Sequence, residues 1–459
     1  MTVAADKTAR LSDAIGAKRI VTADEELAAY AIDGVAPSAI VRPASAEEAA
    51  EAVRFAIAEQ LAVIPLGSKS KCDLGMIPER YNIAIDMTAL RGIVHFDAGD
   101  LTLSVDAGLP LRELEGFLRE KGQFLPLAVP CFESTTAAGA IASGIDSALR
   151  LQYGCARDFL IGAEFIDGTG KLCKSGGRVV KNVTGYDLHK LLIGSLGTLG
   201  VITRVNFRTF PLPAVSRGHL AGFANFQSAL GFRNATEKAG LPLANLEVLS
   251  RDVALMIHAI LQKSGHPQPS ELERHEWLVY SSFEGNEPVV QRIQRELEAI
   301  ARQIGAAHST ILEKSEDEPL GGMLRESFEW LRWAAPANVL CRLALPQVKA
   351  DTVAQVLQVA KSSALRCAVL LRATGVLYFS AFTENEDPQA LGSLAKIVTG
   401  VRSIAESGKA SCTVLHAPAA VKTTVARPNT LPGAILQQRV KRAFDPSNVF
   451  APGRVVGGL

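Results

Sequence analysis

The stretch Gly176-Gly177-Arg178-Val179-Val180-Lys181-Asn182-Val183-Thr184-Gly185-Tyr186-Asp187-Leu188 runs on through Gly194, Gly197 and Gly200 into Val201-Ile202-Thr203. It interleaves glycines with Lys, Asn, Thr, Tyr and Asp across a turn that reads as leading into a helix. Glycine allows the backbone to approach a ligand or another segment closely, and the polar residues between supply donors and acceptors. A structural turn is the plainer alternative. The spacing of Gly194, Gly197 and Gly200 is G-x-x-G-x-x-G ahead of a strand, which departs from the dinucleotide fingerprint G-x-G-x-x-G ahead of a helix. Gly168-Thr169-Gly170-Lys171 likewise fails as a nucleotide P-loop, because its first glycine would fall at Phe165 and Leu172 stands where Ser or Thr is needed.

Three earlier segments share this character. Leu66-Gly67-Ser68-Lys69-Ser70-Lys71 follows an apolar run and strings small residues with two lysines. Consecutive N–H groups in such a loop can converge on an anion such as a pyrophosphate, although a surface turn would look the same. Ser134-Thr135-Thr136-Ala137-Ala138-Gly139-Ala140-Ile141-Ala142-Ser143-Gly144 carries only one side chain larger than threonine, which fits either a ligand or close helix packing. Tyr153-Gly154-Cys155-Ala156-Arg157-Asp158 leads directly into the strand-like FLIGAEFID.

Around these lie ordinary elements. Ser45 and Glu48 have capping-box spacing at the head of a helix over 46–60. NIAIDM and LTLSVDAG alternate at period two, and 111–121 is an amphipathic helix. PLPAVSRG marks a boundary. Beyond it, WLVYSSFE, NVLCRLAL, CAVLLRA and VLYFSAF read as strands, and three long segments as helices with one apolar stripe, predicting a sheet covered on one face. The helix LPGAILQQRVKRAF puts Ile435, Leu436, Val440 and Phe444 on its apolar face and Arg439, Lys441 and Arg442 away from it. The tail NVFAPGRVVGGL is glycine-rich like the first region and is read as returning to it. The expected division is 1–213, 214–417 and 418–459.

Composition narrows the function. With 48 Lys+Arg against 47 Asp+Glu the net charge is +1, without the basic surplus a nucleic-acid or membrane-surface binder needs. No C-x-x-C, H-x-H or H-E-x-x-H occurs, so no metal or iron–sulfur site is expected. Nothing at the N-terminus reads as a signal peptide and no spanning segment is found, so the expected location is cytoplasmic, with any membrane association through partners.

The four segments and the ending AFDPSNVFAPGR, taken in order, resemble the vanillyl-alcohol oxidase type (PCMH-type) flavoprotein superfamily, and within it the FAD-binding accessory subunits of bacterial glycolate oxidase. The resemblance covers essentially the whole chain. It implies an α+β fold: a two-subdomain PCMH-type FAD-binding domain with an inserted α+β cap domain. It implies FAD held by Leu66, Gly67, Ser68, Lys69, Ser70 and Lys71 at the pyrophosphate, and by Thr135, Thr136, Gly139, Ala142, Ser143 and Gly144 along the flavin. Tyr153, Gly154, Asp158, Lys181, Thr184, Gly185, Tyr186, Asp187, Gly200, Val201 and Ile202 would lie near the same cofactor. Arg178, Lys181 and Arg454 are candidate cations beside the flavin. The pyrophosphate loop lacks the histidine of relatives with covalent flavin, so FAD is expected to be noncovalent. The cap also lacks the H-x-x-G-D-G-N-x-H pattern of relatives that oxidise D-2-hydroxy acids, and shows no local cluster of His, Asp and Glu. The resemblance therefore implies a subunit working beside a related catalytic flavoprotein and an iron–sulfur subunit, with no metal and no assigned catalytic residue. The alternative is a self-sufficient FAD-dependent D-2-hydroxy acid dehydrogenase.

Overall fold

The computed structural model describes residues 5–145, 147–178, 185–363, 365–425 and 433–455. In the first half, strands Ala39–Val41, Ile83–Asp86 and Val63–Leu66 pair in parallel, with Ile20–Val21 added antiparallel at one edge. Parallel strands need crossovers, and the helix Ala46–Ala58 carries the chain from Ala39–Val41 to Val63–Leu66, on either side of Ile83–Asp86. Ser45 lies in extended backbone and its Oγ accepts from the Glu48 N–H at 3.1 Å, while the Glu48 carboxylate reaches back to the Ala44 N–H at 2.7 Å. Ala49, Ala50, Ala52, Val53 and Ala56 form the buried face. Their small side chains let the helix lie close on the sheet.

A second, five-stranded antiparallel sheet orders Ile93–Asp97, Thr102–Asp106, Val201–Arg208, Leu160–Ile166 and Leu172–Gly176. The helix Leu111–Glu120 buries Leu111, Leu114 and Leu118 in one core with Leu103, Val105, Val205 and Phe207. Between the two sheets runs the short helix Ala137–Ser143, opened by the Thr136 hydroxyl accepting from the Gly139 N–H at 3.2 Å.

The cap is one eight-stranded antiparallel sheet, from His308–Ile311 at one edge to Ser411–His416 at the other. The sequence predicted cover on one face; both faces are covered. Helices Phe226–Lys238, Glu287–Ile304, Ala350–Ser362 and Pro388–Ser407 pack on one side. Arg251–Lys263, Lys314–Arg325 and Ser327–Arg332 pack on the other. Strands such as Leu243–Ser250, buried at every residue, present side chains to both faces and require cover on both. Leu74 and Ile145 of the first half join the second of these cores. This joins the cap to the rest of the molecule.

The tail does return. Phe450 is fully buried beside Val63 and Ile85, and Val63 exchanges backbone hydrogen bonds with Val449 (2.7 Å) and Ala451 (2.8 Å). Its helix, Ala434–Phe444, follows the expected facing at Phe444, which stacks on Phe165, and at the exposed Arg439 and Arg442, but departs from it at three positions. Ile435 and Leu436 are 76% and 65% exposed, while Lys441 is buried. The Lys441 ammonium donates to Asp445 Oδ2 (2.6 Å) and to the carbonyls of Thr198 and Phe450 (2.8 Å each). A buried cation is tolerated when its donors are all taken up this way. Among the described residues no helix is long and apolar enough to cross a membrane.

Candidate functional site

Strands Val63–Leu66, Ile83–Asp86 and Thr102–Asp106 end at one cleft, about 800 Å³ with its open mouth included, and Leu66, Met87 and Ala107 at or just beyond those ends line it. Its floor is built of small residues. Gly67 lies so near Thr136 that a Cβ there would meet Thr136 Oγ1 at 2.3 Å. Likewise, a Cβ on Gly197 would meet Pro65 Cγ at 2.6 Å, and one on Gly200 the Ile166 carbonyl oxygen at 2.6 Å. Lys69 turns the loop in left-handed backbone (φ 66°), and its ammonium lies over the Tyr30 ring and donates to the Ala29 carbonyl at 3.1 Å. The result is a cleft floored by small residues between two backbone segments, where a flat dinucleotide such as FAD could approach the backbone closely.

Twelve of the residues singled out from sequence line this cleft: Leu66 through Lys71, Thr136, Gly139, Ala142, Ser143, Gly200 and Ile202. Thr135 lies immediately behind, its hydroxyl accepting from the Lys71 ammonium. Others lie elsewhere. Gly144 packs against Gly194, whose Cα would be 2.6 Å from a Cβ added there. Tyr153 stacks edge-on with Phe124 and Phe210 and donates to Glu284 of the cap, so it joins domains instead of facing the cleft. Gly154 gives room to Asp158, whose carboxylate accepts from the Cys155 N–H at 2.8 Å in a local cap. Val201 is core. Tyr186 is 90% exposed, Asp187 pairs with Lys190 at 2.7 Å, and a Cβ on Gly185 would meet nothing within 4 Å. Arg178 is exposed, and Lys181 and Thr184 fall outside the described residues. Ala138 and Gly197, which stand inside segments singled out from sequence, and Ile64 and Pro65 just ahead of the lysine loop also line the cleft; the sequence reading missed Cys72, Met87, Ala107 and Leu196. The C-terminal ends of adjacent strands are where open sheets take ligands, and that rule would have found Met87 and Ala107.

Arg454 also lines the cleft, but its guanidinium is spent on protein. It donates to the carbonyls of Cys72 (2.6 Å), Leu74 and Met76 (2.8 Å), and so fixes the segment that follows the lysine loop. Burial pushes the Cys72 thiol up to about 11 and the Cys131 thiol to about 12, the latter helped by its hydrogen bond to Glu329. Both therefore stay protonated near neutral pH.

At its cap end the cleft meets a constellation that no local sequence pattern announced. Arg332 Nη1 donates to Asp73 Oδ1 (2.7 Å) and to the Ser70 carbonyl (3.1 Å), and Nη2 to Glu329 Oε2 (2.8 Å). His416 Nδ1 lies 2.6 Å from Asp73 Oδ2, and Lys422 donates to the Asp73 carbonyl and to Asp33. Glu326, at the break between two cap helices, accepts from the backbone N–H groups of Cys131 (2.6 Å) and Phe132 (3.2 Å). The cap sequence shows no local cluster of His, Asp and Glu. The fold gathers Glu326, Glu329, Arg332 and His416 against Lys71, Asp73 and Cys131, which are up to 345 residues away in the chain (416 minus 71). Among the described residues no group of three or more His, Cys, Asp and Glu is arranged to hold a metal ion.

Residues 37–176 match the family described as FAD binding domain, and residues 212–455 the family described as FAD linked oxidases, C-terminal domain. The chain is similar to glycolate oxidase subunit GlcE of Escherichia coli (strain K12), 38% identical over 167 residues, which are 36% of this chain and 47% of that protein. It is also similar to D-2-hydroxyglutarate dehydrogenase of Xanthomonas citri pv. viticola, 31% identical over 221 residues, which are 47% of each chain. Both matches thus span about half the length of the relative. In structure it is similar to 4-ethylphenol oxidase from Gulosibacter chungangensis, with a TM-score of 0.79 over 98% of this chain and 97% of that one at 15% identity, a likeness of fold.

Proposed function

Because the chain belongs to the FAD linked oxidases and carries an FAD binding domain ahead of that family's C-terminal domain, we propose that it is an FAD-dependent oxidoreductase of small 2-hydroxy acids, working as the FAD-binding subunit of a larger complex. FAD is its cofactor. When bound, it supplies two-electron acceptance at a flat ring. In this proposal the loop Gly67–Ser70 and the segment Thr136–Ser143 hold it, with Arg454 keeping the adjoining chain in place. The FAD is noncovalent, since among the described residues no histidine lines the cleft and its thiol, Cys72, stays protonated. The observation that carries the reading is the cleft itself: floored by small residues, it is lined by Lys71 beside Ser70, whose carbonyl accepts from Arg332 of the cap.

The protein's own residues then have three tasks. Lys71 and Arg332 keep positive charge at the acid end, Glu326 ties the cap helices to the Cys131–Phe132 backbone, and Leu74 and Ile145 seal the cap against the FAD domain. Similarity to a glycolate oxidase subunit supports a multi-subunit complex, and in this proposal a related catalytic flavoprotein and an iron–sulfur subunit complete it. A second reading, a self-sufficient dehydrogenase, is favoured by the gathered charges at the junction. Anaerobic mixing of the FAD-loaded chain alone with glycolate and with D-lactate separates the two. The subunit reading expects the visible flavin band to persist until partners are added, whereas full bleaching within seconds would make the chain an enzyme on its own.

A further inference from the structure

Among the described residues, the basic groups gathered at the junction other than Lys71 are already engaged by protein, and Arg325 lies over the Phe132 ring. Arg332 is on Asp73 and Glu329, His416 on Asp73, and Lys422 on Asp33. Arg454 is on three carbonyls. Lys71 is different: its Nζ donates to Ser70 Oγ (3.1 Å) and Thr135 Oγ1, and among the described residues no carboxylate stands within ion-pair distance. Thr135 is 1% exposed, and its own proton goes to the carbonyls of Cys131 (2.7 Å) and Pro130 (3.1 Å), so it faces Lys71 as an acceptor. Two of the nitrogen's tetrahedral positions are thereby fixed, and the third is left for something else at the cleft wall, which Lys71 lines.

The neighbouring carboxylates cannot fill that position without giving up existing partners. Glu326 is held by two backbone N–H groups, and Glu329 by Arg332, the Cys131 thiol and the Trp333 indole N–H. We propose that Lys71 is the anion anchor of an organic-acid subsite at the cap end of the cleft, its third position ion-pairing the carboxylate of a small 2-hydroxy or 2-oxo acid. This rests on the reading of the chain as a 2-hydroxy acid flavoprotein and names the residue that would hold the acid.

A proton accompanies the ligand. Burial outweighs the attraction of the Glu326 and Glu329 carboxylates, Arg332 adds repulsion, and the Lys71 ammonium comes down to about 8. An entering carboxylate favours the charged form, so above about pH 8 binding takes up a proton from solvent, and affinity falls about tenfold per pH unit. Below that, affinity is level.

The probe is oxalate, a dicarboxylate with no C–H bond to oxidise, titrated into the FAD-loaded chain and followed by the change in the visible flavin spectrum and by calorimetry in buffers of differing ionisation enthalpy. The wild type should bind, with proton uptake appearing above about pH 8. Lys71→Met should weaken binding about 10- to 100-fold, the range expected for one charge-assisted hydrogen bond, and abolish the proton uptake. Lys71→Arg should restore binding in part but remain level across pH 7–10. Absence of oxalate binding, a level wild-type profile across pH 7–10, or equal affinity in Lys71→Met would each overturn the proposal. If Lys71→Met loses its flavin, the wild-type pH profile and Lys71→Arg decide. Oxalate binding that depends on Lys71 in a chain whose flavin no 2-hydroxy acid reduces, alone or with partners, would overturn the functional reading and leave the anion site standing.

Discussion

Gly67→Ala tests whether the cleft floor is set by steric contact. The new Cβ would stand 2.3 Å from Thr136 Oγ1 and 3.1 Å from Thr136 Cγ2, and the backbone at Gly67 is not left-handed, so no conformational strain confuses the effect. Thr136 would have to rotate and release the Gly139 N–H that it caps at 3.2 Å. Loss of such a cap costs about 1 kcal/mol, and overpacking a tight contact adds about 1–3 kcal/mol, which makes about 2–4 kcal/mol in all. Thr136→Ala alone removes only the cap, at about 1 kcal/mol. It also removes the two atoms nearest the new Cβ and leaves Thr136 Cβ at 3.2 Å, which a small shift relieves. The double variant should therefore cost about 1–2 kcal/mol, less than the sum of the singles, and recover part of the FAD affinity lost in Gly67→Ala. The assays are urea unfolding of the flavin-free chain and FAD titration by flavin fluorescence for all four proteins. Strict additivity, or a Gly67→Ala cost below about 0.5 kcal/mol, would refute the contact as the cause.

Lys441→Met should destabilise the chain by about 3 kcal/mol, at the low end for breaking a buried pair because Asp445 keeps the N–H groups of Val449 (3.0 Å) and Phe450 (2.8 Å); Ile435→Ser on the exposed face of the same helix should change thermal stability by under about 0.5 kcal/mol. Burial raises Asp317 to about 6 despite the hydrogen bond it accepts from Tyr280 at 2.8 Å. The folded protein then holds this proton between about pH 4 and 6 where the unfolded chain does not, so stability falls as pH rises through that window, by up to ~3 kcal/mol. Urea midpoints measured from pH 4 to 7 should show Asp317→Asn losing that part of the decline, and identical profiles would remove Asp317 as its source.

Local signals were legible wherever the physics was local. The Ser45–Glu48 cap, the period-two strands and the loop Gly67–Lys71 are each written in a few consecutive residues, and the first two form as read while the third lines the cleft. Tertiary satisfaction was not legible. Lys441 reads as a solvent-facing lysine because nothing in its helix reveals that Asp445, Thr198 and Phe450 converge on it. Tyr153 and Asp158 looked like ligand contacts because polar residues near glycine serve either a ligand or a turn, and here they join the cap and close a local cap box. The junction was hidden most completely, since Lys71, Cys131, Glu326, Arg332 and His416 come from separate loops, helices and a strand end of both halves. The cap's docking, through Leu74 and Ile145 and the Tyr153–Glu284 hydrogen bond among its contacts, brings them together.

The claim on which the rest depends is that this chain holds FAD, without a covalent bond, in the cleft between Gly67–Lys71 and Thr136–Ser143. Its most direct test is acid precipitation of the purified yellow protein, with flavin assayed in supernatant and pellet and compared with the same measurement on Gly67→Ala. The expected result is stoichiometric FAD from the wild type, all of it in the supernatant, and much less from the variant. A wild-type protein that carries no FAD, flavin that stays with the pellet, or full occupancy in Gly67→Ala would contradict it.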